Sequence, residues 1–231
     1  MRLFVATLAL SAAALAQAQT ASHVYLMNDA SDLLGGPALT TLGGDFTTQA
    51  GRYSFGANQG LSLENAVNAS VYTIDFVFNF DLVSGYRRLI DFKALTSDTG
   101  LYNYSSQLKF YNEATGPDSV FAIATDARVT LTRDAAGLLT GYVNGVLQFQ
   151  FNDTAGLSQF SGANQIAYFF RDDNAVSGEA SAGSIDYLRI YDTALTASQV
   201  ANLASPVPEP ATGVLALAGI GLFALLRRRR A

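Results

Sequence analysis

Residues 71–80 read VYTIDFVFNF, with Tyr72, Ile74, Phe76, Phe78 and Phe80 alternating with Thr73, Asp75, Val77 and Asn79. A period of two is that of a strand with one buried face, and the face predicted here is heavily aromatic. Shorter stretches of strand character follow at 87–93 (RRLIDFK), 108–111, 129–131, 139–143, 146–151, 165–170 and 184–191. Turn residues separate them. Asp134 to Gly137 makes one turn, and Asn144-Gly145 is a hairpin signal, because both central positions of a type I′ turn require positive φ. One helix is predicted, over 197–204. Thr196 is its N-cap, Gln199 lies at capping-box spacing, and Leu195 with Val200 makes a hydrophobic staple. Many short strands closed by one short helix predict an all-β, antiparallel two-sheet sandwich. The sequence holds no glycine-rich nucleotide-binding loop and no internal repeat.

The two ends break this pattern. Arg2 precedes an apolar stretch over 3–15, and Ala16-Gln17-Ala18 is a small-x-small cleavage pattern. Residues 1–18 therefore read as a signal peptide, with the mature chain starting near Gln19. At the other end, Val207-Pro208-Glu209-Pro210 precedes the 16 uncharged residues 211–226, and then come Arg227, Arg228, Arg229 and Arg230. As a helix the uncharged run is about 24 Å long, short against a hydrocarbon core of about 30 Å. Arginine stems extend that reach to the head groups, and the positive-inside rule sets them on the cytoplasmic side. These three parts together resemble the PEP-CTERM sorting signal of Gram-negative bacteria. The resemblance implies a transient membrane anchor through a transmembrane helix at 211–226. It also implies cleavage near Pro208 to Pro210 by an exosortase-type enzyme, transfer to the cell surface or matrix, and a setting of exopolysaccharide production.

Residues 19–205 are one domain's worth of chain. Nine Lys/Arg stand there against 18 Asp/Glu, a net charge of −9, because Arg2, Glu209 and the four terminal arginines lie outside; the whole chain carries −5. A body this acidic argues against nucleic acid or anionic lipid as a partner. It is compatible with calcium and with neutral sugars. With no Cys there is no disulfide framework, and with His23 as the single His there is no basis for a Ser-His-Asp triad or a His/Cys zinc site. The chain also lacks Trp but has 11 Tyr, so any stacking on sugar rings falls to tyrosine.

Three stretches then take on meaning in order: GRYSFGANQGLSLENAVNASVYTIDFVFNF from Gly51, VTLTRDAAGLLTGYVNGVLQF from Val129, and SIDYLRIYDTALTASQVANL from Ser184. They resemble successive blocks of the concanavalin A-like, laminin G-like jelly rolls and cover most of 24–204. The resemblance implies a jelly-roll sandwich. Functions in that family range over sugar binding, adhesion, calcium-dependent contacts and glycoside hydrolysis, so the fold alone does not choose. The β-glucanase branch carries Glu-x-Asp-x-x-Glu on one strand. The mature chain has three Glu, Glu64, Glu113 and Glu179, none at that spacing, so that mechanism is absent.

The stretch 169–186, FFRDDNAVSGEASAGSID, places Asp172, Asp173, Asn174 and Glu179 within eight residues between two strands. Calcium takes hard oxygens from carboxylates, amides and carbonyls, and crowded like charges are relieved by a cation. These four residues are the candidate calcium ligands; a solvated acidic loop is the other reading. Asp91 and Asp98, in LIDFKALTSDTG, are candidates to approach that loop. Tyr102, Tyr104, Phe110 and Tyr111 make either a sugar-stacking platform or core and cross-strand pairs, and their alternation favours the core. The sequence thus reads as an exported, surface-sorted, non-catalytic domain that binds or structures extracellular polysaccharide. A glycan-cleaving enzyme on the same scaffold and a protein–protein adhesion module are the alternatives.

Overall fold

The computed structural model describes residues 19–162 and 164–204. The expected signal peptide (1–18) and the sorting signal with its expected transmembrane helix (206–231) lie outside the described residues. Among the described residues no helix is long and apolar enough to cross a membrane.

Two antiparallel sheets pack face to face. The first is built from β1 (His23–Tyr25), β14 (Gly183–Tyr191), β5 (Tyr72–Phe80), β10 (Ala127–Arg133), β11 (Leu138–Val143) and β12 (Val146–Asn152) in that order, with β3 (Tyr53–Phe55) also paired to β14. The second runs β2 (Thr40–Thr41), β4 (Leu61–Leu63), β13 (Ala167–Phe169), β6 (Tyr86–Asp91), β7 (Gly100–Tyr104), β8 (Gln107–Phe110) and β9 (Ala114–Thr115). The non-sequential order is that of a jelly roll, the fold expected from the sequence.

The aromatic face of β5 builds the core. Phe76, Phe78 and Phe80 pack with Phe55, Phe121, Phe169 and Phe170; Phe55 and Phe170 stack with ring centroids 4.6 Å apart, and Phe78 meets Phe80 edge-on at 4.8 Å. The opposite face differs from the expected half-exposed one. Thr73 and Asp75 are fully buried. Arg189 holds the Asp75 carboxylate at 2.7 Å and Thr130 donates to it at 2.6 Å, while Thr73 accepts from Leu195 and donates to Thr193 in the lead-in to the helix.

The helix, α1 (Ala197–Ala201), begins where expected. Thr196 caps it in a reciprocal capping box with Gln199, and Leu195 and Val200 are buried together. It ends at Ala201, short of 204: Asn202 leaves the helical conformation, and Arg128 donates to the carbonyls of Val200 and Leu203 and Arg189 to that of Ala204, tying the end of the helix and the residues after it to the sheet. The β11–β12 hairpin turns at Asn144 and Gly145, with φ of 51° and 79°, as the type I′ signal requires. At Gly183 the neighbouring strand comes so close that a Cβ would collide with the carbonyl oxygen of Asn79.

Candidate functional site

In the second sheet Leu101, Leu108, Phe110, Ala167 and Phe169 point into the core. Strand alternation therefore sends Tyr102, Tyr104, Lys109 and Tyr168 to the outer face. Cross-strand register lines them up: Tyr86 opposes Tyr104, Arg88 opposes Tyr102, and Tyr102 opposes Lys109. Tyr86 lies 4.3 Å from Tyr104, 5.3 Å from Tyr102 and 5.7 Å from Tyr111 between ring centroids. The Lys109 ammonium stands over the rings of Tyr104 and Tyr86 at 4.9 and 5.8 Å. Tyr86, Tyr104 and Tyr111 are half-buried, whereas Tyr102 and Phe110 are fully buried. The predicted aromatic set thus divides. Tyr104 and Tyr111 remain accessible, Phe110 belongs to the core, and Tyr86 joins the platform. Burial and then the neighbouring Tyr104 push the Tyr86 hydroxyl up from its usual range, so it stays a neutral donor at pH 7.

Beside this platform lies a carboxylate cluster arranged around one guanidinium. Arg88, fully buried, pairs with Asp91 at 3.0 Å and with Asp173, approaches Glu179 at 3.8 Å, bonds the Tyr102 hydroxyl, and stacks over the Tyr102 ring at 4.5 Å. Tyr102 in turn donates to the carbonyl of Asp98 at 3.0 Å. Asp98, Asp173 and Glu179 each place an oxygen within 4.8 Å of the others. Burial, aided by Asp173, holds the Asp98 carboxyl above the usual carboxylate range, and burial raises Glu179 likewise, with Asp172 and Asp98 adding to it. Asp91 is raised by burial despite Arg88 and two backbone amides. Three carboxylates, Asp91, Asp173 and Glu179, face one guanidinium and Asp98 stands beside them, so acids outnumber bases in the cluster. One oxygen of Asp98 and one of Glu179 are buried without a hydrogen-bond partner among the described residues.

The predicted calcium ligands take different places. Asp172 turns its carboxylate back onto its own loop, accepting from the amides of Gly178 and Glu179 at 2.8 and 2.9 Å. Asn174 is exposed, its amide bonded to the Leu95 carbonyl. Asp173 and Glu179 do come together, and the third member is Asp98 from the β6–β7 loop, the residue the sequence offered as a possible neighbour. Asp91 reaches the same cluster through Arg88. Arg88 itself carries no signal of this role in the sequence beyond being a basic residue inside a strand. The loop is fixed to the sheet: the Arg88 amide donates to the Glu179 carbonyl at 2.8 Å, and the Arg87 guanidinium donates to the Gly178 carbonyl at 2.7 Å. The arrangement offers stacking surfaces, neutral phenol donors, an ammonium, and carboxylate acceptors on one face.

These features and the sandwich define a lectin-like jelly roll. The chain belongs to the concanavalin A-like lectin/glucanases superfamily, whose laminin G-type family model matches residues 55–201. A PEP-CTERM protein-sorting motif matches residues 206–230, which marks the chain as exported and surface-sorted and implies processing by an exosortase-type enzyme. Both resemblances drawn from the sequence are thereby borne out. Among solved structures, domain 4 of AbnA, a GH43 extracellular arabinanase from Geobacillus stearothermophilus, in complex with arabinotriose, is similar at 19% identity and a TM-score of 0.60, over 80% of this chain and 98% of that one. Trypanosoma rangeli sialidase, as its covalent intermediate with 2,3-difluorosialic acid, is similar at 14% and 0.57, over 80% of this chain and 31% of that one. The ligand-binding domain of botulinum neurotoxin serotype D in complex with N-acetylneuraminic acid is similar at 11% and 0.55, over 80% and 50%. At these identities the likeness is one of fold. No curated protein matches the chain.

Proposed function

We propose that this is a non-catalytic carbohydrate-binding domain of the cell-surface matrix, exported by its N-terminal signal, held transiently by a C-terminal transmembrane helix, and binding extracellular polysaccharide on the outer face of its second sheet. The observation that carries the reading is the contiguous, half-buried group Tyr86, Tyr104 and Tyr111 with Lys109 over it, abutting the carboxylates of Asp98 and Glu179. Sugar rings stack on phenol faces, and their hydroxyls need hydrogen-bond acceptors beside those faces. The similar arabinanase domain, bound to arabinotriose, supports the scaffold's suitability. Calcium belongs to the same proposal: Asp98, Asp173 and Glu179 supply three hard oxygens, and carbonyls and sugar hydroxyls can complete its shell.

A glycan array followed by titration calorimetry on the positive glycans tests this. Tyr86→Ala and Tyr104→Ala should each weaken binding by about tenfold, the loss of one stacking contact of about 0.5–1.5 kcal/mol plus its buried area. Binding unchanged in both variants would remove the face from consideration. One observation favours a second reading. Asp98 and Glu179, both with raised carboxyls, stand close to Asp173, and retaining glycosidases use two carboxyls about 5–5.5 Å apart, one of them protonated. Turnover of a bound glycan, abolished by Glu179→Gln, would establish hydrolysis in place of simple binding.

A further inference from the structure

Three arginines and three acids share the outer face of the first sheet. Arg189 holds Asp75 at 2.7 Å and Arg128 stands 3.8 Å from it, while Arg52 pairs with Asp126 at 2.7 Å and approaches Asp186 at 4.0 Å. These charges cancel. Of the 18 acids and nine bases in residues 19–205, the other 15 acids and six bases therefore carry the whole net −9. Asp192, exposed where the lead-in to α1 begins, stands at the end of this face. α1 lies over the face, with Leu195 and Val200 packed on Tyr142 and Tyr191, and residues 193–205 hold no charge. Beside α1 is the β11–β12 turn: a Cβ on Gly145 would stand 3.3 Å from the Cα of Ala201. The next two residues, Val146 and Leu147, are 63% and 51% exposed. Leu147 opposes Tyr142 across the ladder, so it lies on the α1 side of the sheet.

The residues that lead out of the domain are fastened to this face. Arg128 donates to the carbonyls of Val200 and Leu203, and Arg189 to that of Ala204. Six residues, 205–210, separate Ala204 from the uncharged run 211–226, and six residues reach about 20 Å at full extension. We infer that this face is the membrane-facing surface of the anchored protein, with Val146 and Leu147 seated among the lipid head groups. The inference rests on the reading of 211–226 as a transmembrane anchor. Such an anchor holds the domain close to the lipid, and three observations choose the face it turns there. The tether leaves from this face. Its charges are paired with one another, whereas turning the second sheet to the membrane would bring Asp98 and Glu179 within the roughly 8 Å reach of anionic head groups. Its exposed apolar pair stands next to the exit, and such side chains are accepted at the boundary of head groups and acyl chains. The same orientation turns the tyrosine face of the second sheet away from the membrane, open to polysaccharide while the chain is still anchored.

The test uses the chain with its C-terminal segment retained through Ala231, verified by mass, produced in a host without a sorting enzyme. It is reconstituted into vesicles of phosphatidylethanolamine with a minority of phosphatidylglycerol, and spin-labelled head groups in both leaflets quench any fluorophore at the interface. The chain has no Cys, so Leu147→Cys carries the fluorophore in one variant and Thr115→Cys in another. Thr115 is exposed and opposes Lys109, on the outer face of the second sheet. Quenching at position 147 should exceed that at 115 by at least about threefold, and adding Val146→Asp should cut it by about half, because a charge is expelled from the apolar boundary. Circular dichroism should not change, since Val146 and Leu147 are both exposed. Protein that floats with the vesicles but is quenched equally at 147 and 115, or as strongly with Val146→Asp as without it, overturns the inference and leaves the anchor standing. Protein that does not float with the vesicles overturns the anchor reading, and the inference falls with it.

Discussion

Replacing Arg88 by Met should be the most costly single change in the candidate site. Met has nearly the volume of the arginine stem, so the test isolates charge. In the native protein the guanidinium, fully buried, is held by Asp91 at 3.0 Å and by Asp173, both with side chains fully buried. Its removal leaves those carboxylates uncompensated in a dry environment. Breaking a buried pair by deleting one partner costs about 3–5 kcal/mol. For a domain of this length each kcal/mol lowers the melting temperature by about 2–4 °C, so the expected fall is on the order of 10 °C. Urea unfolding at pH 7 measures it directly. Two further readouts tie the loss to charge. With Arg88 gone the folded-state pKa of Asp91, already raised by burial, rises further above its unfolded value, so the folded state binds more protons across that window. The deficit should therefore shrink as pH falls from 7 through the raised pKa toward 4. Asp173→Asn in the same background keeps an oxygen for the amides of Ala175 and Val176, which the carboxylate now accepts at 2.6 and 3.0 Å, yet removes a charge. It should restore at least about 1 kcal/mol. A loss below about 1 kcal/mol at pH 7, or a double variant no more stable than Arg88→Met, would refute the view that Arg88 is the resident cation of the cluster.

Three other outcomes are expected. Millimolar calcium should raise the wild-type melting temperature by about 5–10 °C relative to EDTA, the effect of about 2.7 kcal/mol at a hundredfold excess over Kd; because the Asp98 and Glu179 carboxyls are raised by burial and so hold protons further up the pH scale, the shift should be larger at pH 7 than at pH 5, and absent in the double variant Asp173→Asn, Glu179→Gln. Gly183→Ala drives a methyl into the Asn79 carbonyl across the β14–β5 ladder and should cost about 1–3 kcal/mol in a denaturant titration, with a smaller loss showing that the strands can separate locally. Mass spectrometry of the surface-associated protein should find a C-terminus near Pro208, and recovery solely of chains ending at Ala231 from sorting-competent cells would count against processing.

Local chemistry carried much of the fold. The type I′ hairpin at Asn144-Gly145, the capping box at Thr196 and the aromatic face of β5 each depend on residues a few positions apart, and each appears as read. Strands of two to five residues, such as β2, β4 and β7, were too short to show a period by themselves; they exist because a neighbour's ladder is already in place. Burial of Thr73 and Asp75 was likewise hidden, since what covers them comes from 130 and from 189 to 195 along the chain.

The site was legible only by halves, and the reason is specific. Counting carboxylates in the loop after β13 finds Asp172, Asp173 and Glu179, but spacing cannot tell an oxygen aimed at a ligand from one that closes its own loop, as Asp172 does. Nor can it find the counter-charge. In RRLIDFK strict alternation would put Arg88 and Ile90 on one face and Leu89 on the other. The ladder instead slips between Arg88 and Ile90 against β7, and both Leu89 and Ile90 enter the core. That bulge frees Arg88 to face outward beside Asp91, where Asp173 and Glu179 arrive from about 90 residues further along. Bulges of this kind re-aim single side chains without leaving a period to detect. A buried arginine is expensive unless acids surround it. An arginine in mid-strand, in a chain whose acids outnumber its bases two to one between residues 19 and 205, is therefore the sequence feature from which a search for this cluster should start.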